Sequence, residues 1–477
     1  MEGKESGELS RFMSSLPYSY KVTAYSAGIK GKYASYEGKE VRLAGRVLAT
    51  RKSGKLMFAD LLDGKGKIQA YFDYSELGEK AFGDAKKLNA GDIIGVRGKV
   101  FKTKPGEISV KAEEYTMLSK AMRTLPDKWH GLQDVETRYR KRYLDLIMNG
   151  DSRDVFIKRS RIIALIRKFL DNEGFMEFET PVIQPLYGGA DAEPFRVEVN
   201  TLNEEHYLRI ADELYLKRLI IGGLDKVYEI YKAFRNEDID STHSPEFTMI
   251  EWYAAYEDYN GMMLLTERLL ESIGMELLGS LELEYGSNKI SLKSPFKRIS
   301  YMGSINEKAG SDVAALDDNA LFGLAEKHGI RFEKGKRTRA HAYDKLFGTL
   351  VQADLVQPTF VVDFPKESSP LTRPKRDDAN DLTERFEMYM CGMEIANAYS
   401  ELNNPIVQRE NFEMETKKAK AGDKEAEPLD MEFVEAMEYG MPPTGGLGMG
   451  IDRLVMVFTN KDSIKEVILF PMEKRGK

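Results

Sequence analysis

The chain has 477 residues, 42% hydrophobic and 31% charged, enough for two or three globular domains with sizeable cores. Its 70 Lys and Arg against 77 Asp and Glu leave a net charge of −7, which excludes a generic polyanion binder and confines any nucleic-acid contact to local basic or aromatic patches. A lone cysteine, Cys391, excludes a disulfide framework and a multi-cysteine zinc site; with no apolar run near the ~20 residues that span a membrane and a charged start, MEGKESGELSRF, a cytoplasmic protein is expected.

Residues 1–35 read as a polar leader followed by a weak helix. Residues 36–118 change to short alternating strands, EVRLAGRVLATR, KLMFADLLD, GKIQAYFDY, DIIGVRGKVFKTK and EISVKAEEYTML, separated by Gly-Lys turns. Five such strands predict a small closed Greek-key barrel of the OB type, whose open face binds oligonucleotides. An exposed ring there is a sequence-tolerant platform, and an amide and a guanidinium read base edges. Residues 119–151 form a linker whose Arg138, Arg140, Lys141 and Arg142 interleave with Tyr139 and Tyr143, which suits either phosphate contacts or a salt-bridged junction.

Residues 152–477 form the second domain. Ser152 to Asn172 carries an apolar stripe of helical period and stops at Gly174; a strand, FMEFETPVI, follows with Pro181. Gly188 and Gly189 permit close approach of backbone to a ligand. In the next helix Glu213 pairs with Lys217 at i,i+4 or faces a ligand. Lys226 to Arg235 and Glu246 to Tyr253 read as a hairpin with a long polar loop, and strand period puts Phe247, Glu251 and Tyr253 on one face with Thr248, Ile250 and Trp252 on the other. Residues 258–355 read as a largely helical insertion without assigned chemistry. Beyond it, Asn397, Tyr399 and Glu401 alternate along a strand. Glu387 shares their parity and Glu394 does not, so if both carboxylates serve one site, either strands carry a bulge at Gly392 or a helix puts the two on one face, and spacing alone leaves both open. A charged loop is expected over 413–427, and GGLGMG reads as a glycine-rich turn before a helix in which Leu454, Val455 and Phe458 pack inward. That turn is neither a P-loop nor a dinucleotide fingerprint.

The wording of these segments is specific. FRNE, a polar loop and HSPEFT resemble motif 2 of the class II aminoacyl-tRNA synthetases; the 152–172 helix with its strand and Pro181 resembles motif 1, and GLGMGIDR resembles motif 3. RIADELYLKRL is similar to the lysyl branch of that family. The resemblance implies an α+β architecture: an N-terminal OB-fold anticodon-binding barrel and a catalytic domain built on an antiparallel sheet flanked by helices. It implies ATP-dependent activation of lysine, transfer to tRNA(Lys), and a homodimer formed through motif 1.

By the same resemblance Arg235, Glu237 and Arg453 are catalytic. Gly189, Glu213, Glu251, Tyr253, Asn397, Tyr399 and Glu401 bind lysine, Glu213 at the α-amino group and Glu401 with Tyr253 at the ε-ammonium. Arg235, Glu237, His243, Phe247, Glu387, Gly450 and Arg453 bind ATP. Glu387 and Glu394 are ligands of Mg2+, a hard cation that takes carboxylate and water oxygens, and Arg46, Phe58 and Gln69 read a U-rich anticodon. Asp212, Ser244, Glu193 and Met393 depart from the usual lysyl pattern. Two other readings stay open from these residues: a paralogue that passes a lysine-like group to a protein, and a catalytically silent tRNA-binding protein.

Overall fold

A computed structural model describes residues 9–126, 132–332, 337–377, 382–420 and 428–474. The first eight residues of the leader, residues 127–131 of the linker and the 421–427 part of the expected charged loop lie outside that set. The chain forms two compact units, Met1–Gln133 and Asp134–Lys477.

In the first unit, strict alternation of apolar and polar residues produces strands with one buried face. Strands β1 (Glu40–Ser53), β2 (Leu56–Leu62), β3 (Lys67–Asp73), β4 (Ile93–Lys102) and β5 (Ile108–Ser119) close into a barrel in the order β1-β2-β3-β5-β4, as expected. Leu43, Val47, Met57, Leu61, Ile68, Phe72, Val96 and Val110 fill its interior. Gly45 lets β1 and β2 approach, because a Cβ there would stand 2.9 Å from the Leu62 carbonyl oxygen. The helix Tyr74–Ala85 follows β3 and is capped by Asp73, whose carboxylate accepts from the Ser75 amide at 2.9 Å.

The second unit opens on the helices Val135–Arg140, Arg142–Met148 and Gly150–Asn172, followed by β6 (Met176–Glu177) and a small three-stranded sheet, β7 (Ile183–Gln184), β8 (Arg196–Val199) and β9 (Glu204–Leu208). Strands β10 (Lys226–Phe234) and β11 (Glu246–Ala255) form the expected hairpin; β12 (Glu282–Tyr285) and β13 (Asn288–Ser291) form a second. After β14 (Lys297–Ser300), β15 (Thr359–Pro365), β16 (Leu382–Met390), β17 (Met393–Ser400) and β18 (Thr444–Gly450), the central sheet is complete in the order β14-β15-β16-β17-β18-β11-β10-β6. Its edge pairs β6–β10 and β14–β15 are parallel and the rest antiparallel. One face carries Ile250, Trp252, Phe386, Met388, Leu447 and Met449 into a core shared with the helices Gly150–Asn172, Tyr259–Leu278 and Ile451–Thr459. Leu454, Val455 and Phe458 pack inward there. Buried Asp452 ties these layers, accepting from the Thr248 amide at 2.6 Å and from Arg159 at 2.5 Å.

Four local readings are corrected. GGLGMG is the strand β18, not a turn, and lies between β17 and β11, where Leu447 and Met449 alternate into the core and the glycines leave the other face hollow. Gly392 is not the bulge: with Cys391 it makes the tight β16–β17 turn, both at positive φ (73° and 57°), and the register slips at Ile395, since Met388 faces Ala396 while Tyr389 faces Glu394. That slip turns Glu394 to the side of Glu387. The expected charged loop is helical up to its described end, within Pro405–Lys420. The 258–355 segment is divided: Tyr259–Leu278 packs in the main core, β14 pairs with β15, and the helices Tyr301–Ala309, Asp318–Lys327 and Arg339–Leu350 share a separate cluster around Leu321, Leu346 and Phe347. The basic run of the linker is salt-bridged, with Arg138 (3.0 Å) and the buried Arg142 (2.6 Å) both meeting Asp145.

Candidate active site

The hollow face of the central sheet bounds a cavity of about 480 Å³. Register explains its contents. Across the strands Gly446 stands between Tyr253 and Tyr399, and Gly448 between Glu251 and Asn397, with Glu387 next beyond Asn397. Two glycines thus separate columns of functional side chains, and all of these residues line the cavity together with Gly189, Glu213, Glu401 and Gly450.

At one end, acidic groups crowd. Glu251 accepts from the phenols of Tyr231 at 2.5 Å and Tyr253 at 2.8 Å. Lys217, wholly buried, places its Nζ 2.5 Å from Glu213 Oε1 and 2.5 Å from Glu401 Oε2. Burial opposes charge on Lys217, yet the two carboxylates outweigh it and hold its pKa above the ordinary lysine value. Burial pushes Glu401 up to about 8 although Lys217 pulls the other way, and Glu213 is raised for the same reason. Glu401 Oε1 has no hydrogen-bond donor among the described residues and lies at the face of Gly446, where a Cβ would come within 2.1 Å of it. Asp212, one of the departures noted above, is fully buried behind this wall; burial, then the charge of Glu251, raises its pKa.

At the other end, cations face outward from rigid elements. Arg235 directly follows β10, with its guanidinium 5.2 Å from the centre of the Phe247 ring. Arg453, in the first turn of the Ile451–Thr459 helix, donates to the Glu394 carbonyl at 2.9 Å, and its Nη2 stands 3.1 Å from His243 Nε2. Glu237, His243, Phe247 and Glu394 line the same space. Glu387 accepts from Arg385 at 2.5 Å and Tyr389 at 2.6 Å; burial raises its pKa and Arg385 opposes that rise. Among the described residues no three His, Cys, Asp or Glu side chains could enclose a metal ion. One or two carboxylates open to a shared cavity fit a cation whose remaining ligands are phosphate oxygens and water.

On the outer face of the barrel, Phe58 and Gln69 occupy facing strands β2 and β3, and Arg46 lies on β1. The Arg46 guanidinium donates to the Gly91 carbonyl at 2.8 Å, and Gln69 accepts from Ser109 at 2.8 Å. Phe58 begins a row of rings, 5.2 Å from Tyr71, which lies 5.4 Å from Phe101.

Sequence reasoning missed Arg385, Tyr231, Tyr71 and Phe101, and the second partner of Lys217. Period two carried the signal for three of them: Arg385 is two residues from Glu387, Tyr71 two from Gln69, and Tyr231 shares a face with Glu229. Lys217 was legible only as a helical partner of Glu213; Glu401, its second partner, is 184 positions away in the chain.

Comparison with known proteins agrees with this architecture. Residues 134–474 match the family described as tRNA synthetases class II (D, K and N), and residues 41–118 match the OB-fold nucleic acid binding domain. The chain is 48% identical over 476 residues to Lysine--tRNA ligase 2 of Methanosarcina acetivorans, covering 99% of this chain and 93% of the relative. It is 47% identical over 475 residues to Lysine--tRNA ligase of Thermoanaerobacter pseudethanolicus, covering 99% and 95%. Lysine--tRNA ligase of Methanoculleus marisnigri is 47% identical over 463 residues, covering 96% and 91%.

Proposed function

This chain belongs to the class II tRNA synthetases of the D, K and N group, and on that premise we propose that it activates lysine with ATP and transfers it to tRNA(Lys). The observation that carries the choice of lysine is Glu401: a buried carboxylate with one oxygen unpartnered, facing the cavity beside Tyr253 and Gly446. Lys217 engages only Oε2 of that carboxylate, so an aspartate or asparagine side chain would offer the remaining oxygen no ammonium. The lysine ε-ammonium supplies the cation, and Glu213, at the Gly189 loop, receives the α-ammonium. Glu251, Asn397 and Tyr399 complete the polar wall.

Lysine carboxylate attacks the α-phosphorus of ATP, and pyrophosphate departs in line. Arg235 neutralises both reacting anions and Arg453 the outgoing pyrophosphate, while Phe247 offers a ring for the adenine and Glu237, His243 and Gly450 border the nucleotide. The terminal ribose hydroxyl of tRNA then attacks the lysyl carbonyl and AMP leaves. Catalysis here is positioning and charge stabilisation by preorganised groups. Glu387 and Glu394 would hold Mg2+, which, when bound, neutralises phosphate charge. Arg46, Phe58 and Gln69, with the adjacent Tyr71 and Phe101 rings, would take the anticodon. A homodimer is supported by apolar residues left exposed in the motif 1 region: Ile157, Met176, Val182 and Ile183.

Pyrophosphate exchange into ATP, tested with each amino acid and ornithine, decides the substrate. Exchange driven by lysine is the expected result. Exchange driven instead by aspartate or asparagine, or none with any amino acid, would sink the assignment.

A further inference from the structure

We propose that Lys217 is a positioning residue of the amino-acid pocket: from behind its wall, it orients Glu213 and Glu401 and sets their ionisation, so that the pocket selects a substrate bearing two ammonium groups. This rests on the reading of those two carboxylates as the lysine contacts.

The geometry is a clamp. Lys217 is 0% exposed and meets both carboxylates at 2.5 Å, one on its own helix and one just after β17. Glu213 and Glu401 line the cavity, and Lys217 stands behind them. One oxygen of each is thereby held to the rear. Three carboxylates, Glu213, Glu251 and Glu401, face this one lysine, an excess of two acidic groups that an α- and an ε-ammonium match; the substrate carboxylate goes to Arg235. Burial, then the charge of Glu251, raises the pKa of Asp212 and favours its neutral acid.

The other groups facing this clamp cannot take over its task. From β11 come Glu251 and the phenol of Tyr253, from β17 the phenol of Tyr399, and from β16 Arg385, which acts on Glu213 but is held by Glu387. Arg209 is paired with Glu229 at 2.6 Å. Without Lys217, Glu213 and Glu401 would repel in a buried site, and the proton that Glu401 gives up near pH 8 in the wild type would be held to higher pH. Lysine would have to displace that proton in order to bind.

The test is lysine-driven pyrophosphate exchange by the full-length enzyme from about pH 6.5 to about 9, for wild type, Lys217→Met and the charge-balanced double variant Lys217→Met/Glu213→Gln. Dividing each variant's KM for lysine by the wild-type value at the same pH cancels the titration of the substrate. Wild-type KM should fall as pH rises through about 8, where half of Glu401 is ionised. In Lys217→Met the KM at neutral pH should rise ~10-fold or more, with the ratio shrinking as pH rises and the KM for ATP unmoved. The double variant, which removes one cation and one carboxylate together and so should fold even if the single variant does not, should return the break in its profile to near that of wild type. A ratio independent of pH, a ratio of one, or a double variant whose break stays above wild type would overturn the proposal. Absence of lysine-driven exchange in the wild type overturns the substrate reading itself, which separates the two failures.

Discussion

Glu401 and Gly446 show how one residue's absent side chain makes room for another's charge. A Cβ on Gly446 would meet Glu401 Oε1 at 2.1 Å and Tyr253 Cε1 at 2.4 Å, distances no side chain tolerates. Gly446→Ala should therefore push the carboxylate out of place and raise the KM for lysine ~10-fold or more, an effect of at least ~1.4 kcal/mol, while the KM for ATP stays put. Exchange kinetics varying each substrate in turn check this; an equal rise for both substrates would place the glycine in general packing instead. The stability linkage of Glu401 has the opposite sign to that of an ordinary paired carboxylate. Its folded pKa, about 8, lies above the unfolded value, so the folded state holds the extra proton and this group's contribution to stability falls as pH rises between the two. At this scale the residue types were legible from strand parity: Glu251, Tyr253, Asn397, Tyr399 and Glu401 alternate as a ligand face does. Lys217 and Arg385 were not, because a cation next to a carboxylate in sequence reads as a local pair.

Elements failed to read correctly where glycine dominates. GGLGMG has no side chains to show period two at four of its six positions, so its place as a central strand is invisible until β17 and β11 flank it. The slip at Ile395 was equally hidden, since either a bulge at the turn or one within the strand brings Glu394 to the side of Glu387. The Gly150–Asn172 helix and the short β6 and β7 that follow raise a different question. Ile157, Met176, Val182 and Ile183 are each 41–50% exposed, a concentration of apolar surface that a second copy of the chain would cover. Light scattering should give twice the chain mass of 54.2 kDa, and Ile183→Asp should shift the population toward the single chain. A monomeric wild type would remove the dimer from this account.

Over the whole molecule, the proposed function assigns anticodon recognition to the barrel unit and amino-acid activation to the sheet unit. Phe58→Ala should weaken tRNA binding by ~1–3 kcal/mol, the worth of one stacked base, and leave exchange untouched. Comparing charging with exchange checks this, and equal losses in both would count against the division of labour. The sequence by itself determined the barrel's five strands, the hairpin and its two faces, the inward stripe of the last helix, and the residue types gathered for a dicationic substrate; periodicity and motif are local properties, and local sequence carries them. Only the tertiary structure decided which charges touch. Insertion of β18 between β17 and β11 sets the spacing of their side chains, and folding of the Glu213–Ile221 helix against that face puts Lys217 between two carboxylates 188 positions apart. Long-range pairing in a buried site fixes ionisation as well as position, because each charge there depends on its neighbours more than on its own chemistry.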